Sequence, residues 1–73
     1  MNETGNLEND IYEFIFFENN NISMRCLEIN IGQPGIVLRG YLEDLKEEGI
    51  ILERDHIFEI TEKGRILGKT KWV

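Results

Sequence analysis

The sequence predicts an α+β, mainly α-helical domain: three helices, a short β-hairpin and a short C-terminal helix. Three observations lead there. Apolar residues recur at helical spacing from Leu7 to Glu18 and again from Gly35 to Glu48. Two β-rich runs, Ile50 to Arg54 and Ile57 to Thr61, flank the turn pair Asp55-His56. Thr61 then stands where a helix needs a cap, ahead of a basic last segment.

The elements follow in order. Met1 to Asn6 is polar and acidic and is expected to be a disordered N-terminus, leaving 7–73 as a single domain. In the first helix, Leu7, Ile11, Phe14, Ile15 and Glu18 fall on one side, and Glu8, Asp10 and Glu13 lie early, where they complement the helix dipole. Tyr12, Phe16 and Phe17 widen the apolar arc beyond what one small core uses. Asn19-Asn20-Asn21 reads as a turn. Ser23 is the N-cap of a second helix, about Met24 to Asn30, with Ile22 and Leu27 spaced for a hydrophobic staple and Cys26 or Leu27 with Ile31 facing inward.

Gly32-Gln33-Pro34-Gly35 is a turn, and the third helix runs from about Gly35 to Glu48. Its buried stripe is Leu38, Tyr41, Leu42 and Leu45, and Gly49 is the left-handed residue that ends it. After the hairpin, Thr61 caps a last helix of about Glu62 to Gly68 that buries Ile66 or Leu67.

Composition narrows the functions. Seventy-three residues with a formal charge of −6 make one small acidic domain. Its single cysteine cannot form an internal disulfide, and one histidine does not make a zinc set. No run approaches the roughly 20 apolar residues of a membrane span, and the polar start is unlike a signal peptide. The expectation is a cytoplasmic protein. There is no nucleophile triad, phosphate-cradling glycine loop or metal spacing. A non-enzymatic protein without cofactor or small-molecule substrate is therefore expected. The charge is unevenly spread: residues 1–24 hold five acids and no base, whereas Lys63 to Val73 holds Lys63, Arg65, Lys69 and Lys71 and no acid.

From Ile22 to Lys69, about two-thirds of the chain, the sequence resembles the winged helix-turn-helix superfamily, broadly its MarR- and PadR-like regulators. Leu27, Ile31, Gly32, Leu38, Leu42, Leu45, Gly49 and Ile51 occupy that superfamily's usual apolar and glycine positions. Thr61-Glu62-Lys63-Gly64-Arg65 is similar to the Thr-x-x-Gly-Arg segment that often follows the wing. The resemblance implies a small DNA-binding transcriptional regulator whose third helix enters the major groove of double-stranded DNA. Gln33, Arg39, Gly40, Arg54, His56, Lys63, Arg65, Lys69 and Lys71 would then supply weak, mainly backbone-directed and salt-dependent contacts.

The residues themselves point to an alternative. With the leucine stripe inward, the opposite face of the third helix is Ile36, Gly40, Glu43, Asp44 and Glu47, which carries no cation. With Val37 beside it, that face suits a basic protein partner, as in an inhibitor or adaptor of a nucleic-acid enzyme. Gly40, costly inside a helix, implies a close approach by DNA backbone, by a partner's helix or by a helix of its own chain. The aromatic excess at Tyr12, Phe16, Phe17 and Trp72 reads either as a homodimer seam or as core, with Trp72 packing back onto Tyr12 or Phe16 or pairing with a second subunit.

Overall fold

The computed structural model describes residues 7–18 and 20–73 of the chain. Met1 to Asn6 and Asn19 of the expected turn lie outside the described residues. The described chain is α+β and mainly helical: α1 (Leu7–Glu18), β1 (Ile22–Ser23), α2 (Met24–Ile31), α3 (Gly35–Glu47), β2 (Ile51–Arg54), β3 (Ile57–Ile60) and α4 (Glu62–Trp72).

The strands form one antiparallel sheet in the order β1-β3-β2. Ile51 pairs with Ile60 and Arg54 with Ile57, so β2 and β3 are joined through Asp55 and His56 alone. Both turn residues have positive φ (54° and 66°), the mirror-image turn whose twist matches that of a hairpin. The strand β1 was not expected. It places Ile22 opposite Phe58, making β3 the central strand. The core lies between this sheet and the helices. It is built from Ile11, Ile15, Ile22, Leu27, Leu38, Leu42, Leu45 and Phe58, all essentially without solvent contact.

Local chemistry sets most element ends. The Ser23 hydroxyl accepts from the Cys26 N–H at 3.1 Å and opens α2. Gly32 closes α2 in the left-handed conformation, φ 81°. Gly49, φ 78°, turns the chain out of α3. The Thr61 hydroxyl accepts from Gly64 N–H at 2.9 Å and shares its one proton between two carbonyls of the turn after α3, Gly49 at 2.6 Å and Ile50 at 2.9 Å.

The last helix departs from expectation in two ways. It continues past Gly68 to Trp72. It also buries neither Ile66 nor Leu67, which are 57% and 41% exposed. The residues it turns inward are Gly64 and Gly68. A methyl group at Gly64 would collide with the Ile50 carbonyl oxygen and stand 3.0 Å from both Ile50 Cγ2 and Ile60 Cγ1. One at Gly68 would strike the Phe16 ring. Helix backbone, with no side chain between, is thus laid against the hairpin and α1. The Tyr12 hydroxyl donates to the Gly64 carbonyl at 2.6 Å, and burial pushes its pKa up. Trp72 meets the Tyr12 ring edge-on at 4.8 Å and the Phe16 ring at 5.5 Å. Packing within the chain accounts for Tyr12, Phe16 and Trp72.

These contacts fix how three glycines respond to alanine, which by helix propensity alone gains about 1 kcal/mol. Gly64→Ala loses about 2 kcal/mol, because the obstacle is backbone. Gly68→Ala loses less, since the half-buried Phe16 ring can yield. Gly40→Ala gains about 1 kcal/mol, because nothing lies within 4 Å of its Cβ position. Urea denaturation of the three variants reads all three signs.

Candidate functional site

The region singled out by sequence is the outer face of α3 with the adjoining hairpin. It begins at the turn after α2. Pro34 provides no side-chain cap for α3. The Glu28 carboxylate, from α2, instead accepts the Gly35 N–H. The first donor of α3, and the positive end of its dipole, are therefore engaged by the chain's own anion.

Residues 35–60 carry three basic and seven acidic side chains. All three bases are taken up inside this unit. Arg39 Nη1 donates to Glu53 Oε1 at 3.0 Å and, more loosely, to Glu43 Oε2 at 3.4 Å, while its guanidinium lies 5.7 Å from the Phe58 ring centroid. Lys46 Nζ lies 2.9 Å from Glu53 and 3.0 Å from Glu43. Arg54 pairs with Glu59 at 2.8 Å across the hairpin.

The hydrogen bond from Lys46 is the main cause holding the Glu53 carboxyl below the usual carboxylate range. Burial opposes it and Arg39 reinforces it. Glu43 is lowered likewise, first by Lys46. Arg39 and Lys46 are raised in turn, each chiefly by its hydrogen bond to Glu53. These pairs lie at or near the surface, where solvent screens them, so the network sets the local charge balance more than it holds the fold.

Apart from the ion-paired Arg39, what α3 shows to solvent is uncharged at its start and acidic further on. Ile36 is 87% exposed, Val37 is exposed beside it, and nothing lies within 4 Å of a Cβ built on Gly40. The expectation that a neighbouring helix of the chain could explain Gly40 is thereby overturned. Asp44 and Glu47 are exposed further along the same face.

The remaining predicted residues fall in two groups. Gln33 and His56 are exposed, His56 at the hairpin tip. On α4, Lys63 Nζ donates to the Glu48 carbonyl at 2.8 Å and so caps the end of α3. The Lys71 ammonium lies 5.2 Å from the Trp72 ring centroid and 5.8 Å from that of Tyr12. Arg65 and Lys69 are exposed and have no side-chain partner among the described residues. Of the aromatic set, Phe17 remains 56% exposed.

Two carboxylates that shape the site, Glu28 and Glu53, were not anticipated. Glu53 had a legible signal: in a strand it shares the face of Ile51, an inward position where an acid needs a partner. Glu28 carried no such mark. Cys26 is half-buried and its sulfur lies 3.6 Å from Asn30 Nδ2. Among the described residues no group of three or more His, Cys, Asp or Glu side chains is placed to hold a metal ion. No described helix is long and apolar enough to cross a membrane. Comparison with protein-family models, curated proteins and solved structures finds no match to this chain.

The lowered carboxyl of Glu53 gives a pH-dependent expectation. Its folded pKa is below its unfolded one, so its contribution is present above the ordinary carboxylate range and is lost as pH falls through the folded value. Glu53→Gln is therefore less stable than the parent at neutral pH, and the two converge in acid. Thermal melts across a pH series measure the convergence.

Proposed function

We propose that this chain is a winged-helix-type domain that acts as a protein-interaction module. On this reading α3 presents its apolar start and acidic flank to a basic partner, in the manner of an inhibitor or adaptor of a nucleic-acid-binding protein. The element order supports the scaffold: α2 and α3 joined by a short turn, then a two-residue hairpin, then a Thr-capped helix. One observation carries the choice of partner. Each base on α3 and the hairpin is neutralised by an acid of the same unit, and the amino end of α3 is held by Glu28.

A phosphate approaching this face meets a net negative surface and a helix end that already has its anion. A basic protein surface with an apolar anchor meets the reverse: a unit whose seven acids outnumber its three bases, with Asp44 and Glu47 outside the ion pairs, Ile36 and Val37 to cover and no side chain at Gly40 in the way.

DNA binding is the second reading, and one observation favours it. Arg25, Arg65 and Lys69 are exposed cations with no side-chain partner among the described residues. They would give weak, salt-dependent backbone contacts rather than base readout by α3.

An amide NMR titration with a mixed-sequence duplex at low salt separates the two. The interaction reading expects the amides of 35–47 to stay in place at high duplex concentration. Salt-reversible shifts concentrated at Gly35 to Gly40 and Arg54 to His56 would overturn it. Charge reversal supplies the complementary prediction. Glu43→Lys with Glu47→Lys, or Ile36→Glu alone, abolishes capture of a basic partner. The same double reversal strengthens duplex binding if α3 faces DNA.

A further inference from the structure

We infer that α4 of one copy docks into an acid-rimmed apolar groove on α1 of a second copy, forming a reciprocal homodimer. The groove has a volume of about 330 Å³ and is lined by Phe14, Phe17 and Ile31, with Asp10, Glu13 and Glu18 around it. The α1 residues among these are three or four apart and form one face, distinct from that of Ile11 and Ile15, which faces the core, and Ile31 adds to it from α2. No basic residue occurs in residues 1–24, so the rim has no local counter-charge from its own helix.

The matching surface is on α4. Because Gly64 and Gly68 form the face turned toward the hairpin and α1, the opposite face keeps its apolar side chains in solvent. Ile66 is exposed there, Val73 is 87% exposed, and the partnerless cations Arg65 and Lys69 flank them. This is a basic, apolar helix face, and the groove is an acidic, apolar one.

The two surfaces adjoin on the molecule, since the Phe17 ring lies 6.3 Å from that of Trp72. One partner copy can therefore engage both, α4 into groove and groove around α4. Reciprocity matters for area: a single helix face covers little, and doubling it approaches the roughly 800 Å² per partner of a stable interface. The seam shares Phe17 with the expected aromatic one but not Tyr12, Phe16 and Trp72, since Tyr12 and Phe16 pack on Trp72 within each chain.

Sedimentation-velocity titration of the full chain tests this with a charge swap. One variant carries Glu13→Lys and Glu18→Lys, the other Arg65→Glu and Lys69→Glu. Glu18, Arg65 and Lys69 are exposed and Glu13 is half-buried, and circular dichroism checks folding. The parent is expected to dimerise within a concentration series reaching about millimolar, and each variant alone to dimerise roughly tenfold or more weakly. An equimolar mixture of the two is expected to form a heterodimer, because every groove then meets an α4 of opposite sign. Both variants remain net acidic, so bulk attraction does not explain a rescue. A monomeric parent across the series overturns the proposal, as does a dimer indifferent to either reversal. Reversals that weaken dimerisation without rescue on mixing also overturn it, since the two faces then do not meet each other.

Discussion

The close approach of α4 to the hairpin is the constraint on which the rest of the structure depends. At Gly64 the helix backbone touches the Ile50 carbonyl region with nothing interposed, and Tyr12 reaches across from α1 to bond the Gly64 carbonyl. Thr61 ties the same corner to Gly49 and Ile50. Four elements converge there: the end of α3, the hairpin, α1 and α4. A small domain has few places to gain cohesion, and here it uses contact between main chains, which the absence of a side chain makes possible. The outward tilt of Ile66 follows from that choice. A helix that packs through its glycines must carry its apolar side chains elsewhere.

Charge is organised as separately as packing. The acids of α1 have no bases among them, the bases of α4 form no ion pair among the described residues, and the α3–hairpin unit neutralises its own cations. Glu53 is central to that unit because it faces α3 from the strand and can serve both Arg39 and Lys46. Such segregation leaves different surfaces with different electrostatic character on a chain of only 73 residues.

Much of the fold was legible in the sequence where a local rule sufficed. Ser23 and Thr61 cap helices by their own hydroxyls, Gly32 and Gly49 turn left-handed at helix ends, and Leu38, Leu42 and Leu45 repeat at the helical period. The strand β1 was not legible, because two residues show no alternation and their partners lie far along the chain. Nor was the inward face of α4: glycine carries no hydropathy, so periodicity assigned the burial to Ile66 or Leu67. The extension of α4 to Trp72 rests on stacking against Tyr12 and Phe16, a tertiary effect. Around α3 the exposed residues were legible by helical geometry, while the counter-ions that alter their meaning came from other elements.

The short strand β1 has a consequence for the order in which the chain assembles. Ile22 and Phe58 pair across the whole of α2, α3 and β2, whereas β2 and β3 meet through a two-residue turn. The hairpin therefore closes at small entropic cost, and β1 closes a much larger ring of chain for only two pairings. What holds it is less the ladder than the burial of Ile22, which has no solvent contact. The hairpin can thus pair by itself, whereas β1 needs the packed core around Ile22 to hold it.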